Sequence, residues 1–107
     1  MTEFGKPPTA PHLPDLVDRI EGAQKPWVAA IHGSALGGGF EVALHSTYRT
    51  VDASTPAIAL PEVYLGLVPG WGGCYLLPNL VGPEKALKVI IENPLNQNRM
   101  IGGAQAH

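Results

Sequence analysis

Three consecutive glycines, Gly37-Gly38-Gly39, stand between an apolar run and a helix-compatible segment, and this join constrains the chain more than any other stretch. Val28-Ala29-Ala30-Ile31 leads in; Phe40-Glu41-Val42-Ala43-Leu44 leads out, with a carboxylate two places after the last glycine. Glycines at a strand-to-helix corner let the backbone approach a ligand closely and leave amide N–H groups free at the helix start. A short, continuously apolar run entering such a corner predicts a buried strand of a parallel sheet.

The remaining segments extend this pattern. Leu13, Leu16, Val17 and Ile20 recur at i, i+3, i+4 and i+7, so residues 13–21 read as an amphipathic helix with Pro14 in its first turn and Gly22 as its stop. Residues 1–12 read as a loop. Tyr48–Val51 and Ala57–Leu60 read as further strands, the second stopped by Pro61, with a turn over Asp52–Pro56. Val63–Val68 is an apolar connection into a second glycine corner, Pro69-Gly70-Trp71-Gly72-Gly73. Tyr75–Leu80 is a short helical piece interrupted by Pro78. Gly82-Pro83 opens a clearer helix with Ala86, Leu87, Ile90 and Ile91 on one face, ended by Asn93-Pro94. Residues 95–107 show no finished element. Alternation of strand, glycine turn and helix defines an α/β protein with parallel strands, and three short strands are fewer than a doubly covered sheet needs.

Composition narrows the functional classes. A chain of 107 residues holds one domain at most. Its net charge of −2, with no basic run, gives no footing for nucleic acid or an anionic membrane surface. No apolar stretch approaches the ~18 residues of a membrane span, and the first residues lack the order of a signal peptide, so the cytoplasm is the expected location. Cys74, the sole cysteine, excludes an intrachain disulfide and a cysteine metal cage.

Familiar glycine motifs fail at both corners. Gly33 and Gly38 have P-loop spacing, but Gly39-Phe40 stands where Lys-Ser/Thr is required. Val42 replaces the last glycine of a dinucleotide fingerprint at the first corner, and Tyr75 does so at the second. Ser34 is preceded directly by Gly33, which excludes a Gly-x-Ser-x-Gly nucleophile elbow. Two carboxylates remain. Glu41 is either a first-turn residue favoured by the helix dipole, by about 0.3–1 kcal/mol, or part of a site. Glu62 is either a solvated loop residue or its partner. His45, four residues after Glu41 on one helix face, reads as a surface or ion-pair residue.

The string from Lys25-Pro26-Trp27 through Gly37-Gly38-Gly39-Phe40-Glu41 resembles the signature of the crotonase superfamily, the enoyl-CoA hydratases and isomerases. Leu60-Pro61-Glu62-Val63, Leu65-Gly66 and Pro69-Gly70-Trp71-Gly72-Gly73 resemble its second signature, continued by Leu77-Pro78, Leu80-Val81-Gly82 and Lys85-Ala86. Leu60-Pro61-Glu62 and Glu3-Phe4-Gly5-Lys6-Pro7-Pro8 are most similar to the hydratase region of multifunctional β-oxidation proteins. The resemblance implies part of a ββα spiral, incomplete at both ends, with residues 1–107 its central fragment, and a trimeric or hexameric homo-oligomer when complete. It implies an acyl-CoA thioester as substrate, no metal, and no cofactor beyond the coenzyme A that the substrate carries. By position, Glu41 and Glu62 would be the catalytic pair, Gly38 an oxyanion-hole donor, and Gly70 a backbone position that helps hold the water.

The chain also departs from the family pattern. The other oxyanion N–H is expected from a Gly-Ala-Asp-type loop that would lie before Met1. The spacing between Glu41 and Glu62 is one residue longer than expected, within Thr50–Ala57, and would be absorbed in the turn or would displace Glu62. Ser46-Thr47 and Cys74-Tyr75-Leu76 replace residues usual in the family. Three functions follow: a hydratase of 2-enoyl-CoA thioesters with little activity in the isolated chain, an isomerase of the same fold, or a non-catalytic fragment that interacts with a partner.

Overall fold

The computed structural model describes residues 11–106, so the expected N-terminal loop and Glu3–Pro8 fall almost wholly outside the described residues. Helix α1 spans Leu13–Glu21 with Pro14 in its first turn, Asp15 near its positive end and Arg19 near its negative end. Val17 is its buried residue, and the Gly22 N–H closes the helix on the Asp18 carbonyl at 2.9 Å. Strand β1 (Val28–Ile31) pairs in parallel with β3 (Tyr48–Val51), Val28 opposite Tyr48 and Ile31 opposite Val51.

The expectation that the first strand is buried needs correction. Ala29 and Ile31 pack towards the core, whereas Val28 is 59% exposed and Ala30 is also exposed. Among the described residues this sheet has two strands, and only one of its faces is covered. A continuous apolar run reports hydrophobicity on both faces, not what covers them.

A strand that periodicity did not disclose lies inside the glycine stretch. Strand β2 (Ala35–Leu36) pairs in parallel with β4 (Ile58–Ala59), Ala35 opposite Ile58. The described residues therefore form two two-stranded parallel sheets with four strands, not three. A two-residue strand has no period to read. Helix α2 follows at once over Gly38–His45, with Gly37 as its N-cap, and sends Phe40, Ala43 and Leu44 into the core.

The turn before β4 is tied locally. The Asp52 carboxylate accepts hydrogen bonds from the Ser54 N–H (2.7 Å) and hydroxyl (2.6 Å), and the Thr55 N–H donates to the Asp52 carbonyl. Thr55 is buried, and its hydroxyl donates to the Ile31 carbonyl. After this turn and β4, Glu62 lies beside Gly37, the N-cap of α2.

Pro61–Leu65 forms a 3-10 turn, where an apolar connection was expected to begin at Val63. Helix α3 covers Gly73–Val81 and retains Pro78 in its interior. Helix α4 (Pro83–Leu87) runs through a π-helical segment, Lys88–Glu92, into a last turn, α5 (Asn93–Leu95). The expected stop at Asn93-Pro94 is therefore one turn early. The wider π turn lies just before Pro94, where a residue without an N–H has no i→i−4 bond to give up. Ala86 and Ile90 are the buried stripe, while Leu87 and Ile91, expected with them, are exposed. The tail also differs from expectation: Ile101 forms an antiparallel bridge with Ile58, and Gly103–Gln105 closes as a 3-10 turn. Ile58 and Leu60 thus sit at the centre of a core built from α2, β4, α3 and the α4–π run.

Candidate active site

Glu41 lies in the first turn of α2 and is 1% exposed. Its Oε1 accepts hydrogen bonds from the Trp71 N–H at 2.9 Å and the Gly73 N–H at 3.0 Å. Both donors come from the second glycine corner, 30 and 32 residues further along the chain. Among the described residues Oε2 takes no hydrogen bond, so the carboxylate is fixed through one oxygen only. Close packing holds it there: a side chain on Gly73 would meet Glu41 Oε1 at 3.0 Å, with Pro69 and Leu60 beside it.

Glu62, in the 3-10 turn, brings a second carboxylate to the same corner. A Cβ on Gly37 would lie 3.0 Å from Glu62 Oε1, and Gly37 has φ +54°, so conformation and space both demand glycine there. Glu62 Oε2 is buried and has no hydrogen-bond partner among the described residues. Burial pushes the Glu62 carboxyl above its ordinary value; a bond from its own backbone N–H opposes this, and the charge of Glu41 adds to it. The reading of Glu62 as a solvated loop residue does not hold.

Gly38 is the first residue of α2, where the N–H groups have no intrahelical acceptor and the helix dipole favours negative charge. The Trp71 indole lies over it: a Cβ on Gly38 would collide with the ring, 2.7 Å from Cε3. Gly70 is exposed, one residue before the first Glu41 donor. Thus Glu41, Glu62, Gly38 and the corner containing Gly70 share one location. Which corner N–H groups engage Glu41 was not legible beforehand, because Trp71 and Gly73 differ from Gly70 only in where the folded backbone points.

His45, expected as a surface or ion-pair residue, is a further member of this corner and is paired but not at the surface. Its side chain is 8% exposed; Nδ1 lies 2.6 Å from Glu21 Oε1 at the end of α1, and Nε2 lies 2.7 Å from the Trp71 carbonyl oxygen. Cys74, exposed at the start of α3, has its thiol pushed up by burial and by the charges of Glu41 and Glu62, which disfavours the nucleophilic thiolate. The described residues hold no group of three or more His, Cys, Asp or Glu able to bind a metal, and no helix long and apolar enough to cross a membrane. A cavity of about 900 Å³ beside Phe40, Val51 and Leu77 is lined by neither glutamate.

Comparison with known proteins finds relatives of both the sequence and the fold. Residues 8–96 match the enoyl-CoA hydratase/isomerase family model. The chain is 49% identical over 88 residues to the peroxisomal bifunctional enzyme of Danio rerio, covering 82% of this chain and 12% of that protein. It is 44% identical over 92 residues to the glyoxysomal fatty acid β-oxidation multifunctional protein MFP-a of Cucumis sativus, covering 86% and 12%. The crystal structure of an enoyl-CoA hydratase from Bacillus anthracis superposes with a TM-score of 0.76 at 33% identity, covering 88% of this chain and 34% of that one. The chain thus spans about an eighth of these multifunctional relatives and a third of the solved hydratase.

Proposed function

The chain belongs to the enoyl-CoA hydratase/isomerase family and carries part of the crotonase fold, and from that premise we propose that its residues serve the addition of water across the 2,3 double bond of a 2-enoyl-CoA thioester, the hydration step of fatty-acid β-oxidation. The observation that carries this reading is the pair of carboxylates converging beside the first turn of α2, each with an oxygen that takes no hydrogen bond from the described residues.

Hydration of a conjugated thioester needs a base for the water, an acid for C2 and stabilisation of the enolate formed between them. Glu41, held through Oε1 by the Trp71 and Gly73 N–H groups, offers Oε2 to the attacking water and removes its proton as oxygen bonds to C3. Glu62, whose carboxyl is raised by burial, is suited to hold a proton and deliver it to C2. The Gly38 N–H, at the positive end of α2, supports the enolate oxygen, and Gly70 helps hold the water. One such donor is worth about 10²–10³ in rate, so a second donor from a preceding segment raises activity by a comparable factor. The reaction takes no cofactor and no metal; coenzyme A enters as part of the substrate.

Both glutamates are retained, which favours hydration over double-bond isomerisation, where one carboxylate suffices to move a proton. We further propose the family's trimeric or hexameric assembly for the whole protein, and the cytoplasm as its location. Two relatives are named peroxisomal and glyoxysomal, and fractionation of source cells decides between the compartments.

The test is hydration of crotonyl-CoA by the chain itself and by a chimaera in which residues 8–96 replace the matching segment of the Bacillus anthracis hydratase. An active chimaera that loses about 10²–10⁴ in turnover with Glu41→Gln or Glu62→Gln supports the assignment. Unchanged turnover in both variants removes it. Product analysis on a 3-enoyl-CoA separates the isomerase.

A further inference from the structure

We infer that His45 is a positioning residue for the glutamate pair: as an imidazolium it holds the Trp71 carbonyl, one peptide group beyond the Trp71 N–H that binds Glu41. Three contacts carry this. Nδ1 of His45 faces a Glu21 carboxylate oxygen at 2.6 Å and Nε2 faces the Trp71 carbonyl at 2.7 Å. The N–H of that same Trp71 donates to Glu41 Oε1 at 2.9 Å. Gly72, with φ +106°, admits the ring, since a Cβ there would lie 2.6 Å from Nε2. The two peptide groups that flank the Trp71 Cα are therefore both held, the following one through its carbonyl by His45 and the preceding one through its N–H by Glu41.

The chemistry of the partners sets the protonation. A carboxylate and a peptide carbonyl only accept hydrogen bonds, so both contacts are made together only when both ring nitrogens carry protons. The groups facing the ring are Glu21 from α1 and the Trp71 carbonyl from the corner; Glu41, on His45's own helix, binds the N–H on the other side of the Trp71 Cα. Loss of one proton forces a choice. The remaining proton stays with the charged Glu21, the stronger acceptor, and the Trp71 carbonyl is released. The corner then holds Glu41 with less support, and pH acts on the site through a residue that need not touch the substrate. The positioning role has its catalytic meaning under the hydration reading, but the clamp stands on geometry alone.

Amide hydrogen exchange of the chain, corrected for intrinsic rates and without substrate, tests the clamp independently of turnover. In the wild type, protection of the Trp71 and Gly73 amides falls as pH rises, while protection along the β1–β3 ladder stays constant. His45→Leu lowers Trp71 and Gly73 protection about tenfold or more at every pH, with the ladder intact. His45→Gln, which keeps one donor for the Trp71 carbonyl, restores part of it and abolishes the pH dependence. Glu21→Gln can donate to Nδ1, so a neutral ring keeps its Nε2–H on Trp71 and protection persists to high pH. Equal protection in wild type and His45→Leu overturns the proposal. If His45→Leu loses its ladder, the exposed Glu21 site decides: a Glu21→Gln profile identical to the wild type overturns it equally.

Discussion

Replacing Glu41 by alanine and by glutamine separates what this residue does for the fold from what it does for the reaction. Alanine removes the acceptor shared by the Trp71 and Gly73 N–H groups. The Gly73 donor is buried, and stranding it costs about 1–3 kcal/mol; the Trp71 donor is part-buried, can reach water, and adds at most about 1 kcal/mol. Glu41→Ala is therefore expected to destabilise by about 1–4 kcal/mol, a sizeable fraction of the roughly 5–15 kcal/mol that holds a typical domain together. Glutamine keeps an oxygen where Oε1 lies and accepts the same two bonds, so Glu41→Gln is expected to change stability by less than about 1 kcal/mol. It loses the proton-transfer role, and turnover in the chimaera falls by about 10²–10⁴. Urea unfolding followed by tryptophan fluorescence, paired with crotonyl-CoA hydration, reads both quantities. Two results refute the reasoning: an alanine variant as stable as wild type, or a glutamine variant as destabilised as the alanine one.

Two further outcomes follow from the same corner. Gly38→Ala drives a methyl into the Trp71 indole and is expected to cost about 1–3 kcal/mol, whereas in a Trp71→Ala background the same change is neutral or stabilising, because alanine is otherwise favoured in a helix; equal costs in both backgrounds in a double-mutant cycle refute the contact. Glu62 has a carboxyl raised above 4.5 by burial first and by Glu41 second, so its protonated form is the one folding favours. Its contribution is fully present below about pH 4.5 and is lost as pH rises through the raised value. Glu62→Gln cannot ionise and is expected to match wild-type stability below that pH and exceed it above, as thermal unfolding across a pH series will show.

The legible parts of the fold are those written in near neighbours. The 13–21 helix follows from Leu13, Leu16, Val17 and Ile20 at helical spacing, and the start of α2 from glycines beside a first-turn acid. The site was legible as residue types in two strings. Its assembly was not, since the bonds to Glu41 depend on backbone 30 and 32 residues away. The half-buried state of β1, the β2–β4 pair and the Ile58–Ile101 bridge were hidden for the same reason: each depends on what another segment covers or pairs.

The sequence by itself determined the 13–21 helix, the two glycine corners and the choice of Glu41 and Glu62 as candidates, because periodicity, backbone freedom and charge act over a few neighbouring residues. Only the tertiary structure decided that Trp71 and Gly73 hold Glu41, that Glu62 is half-buried beside Gly37, and that His45 joins Glu21 to the Trp71 carbonyl. Those contacts require hydrogen-bond directions and close approaches between segments far apart in the chain, and folding alone brings such groups within 3 Å.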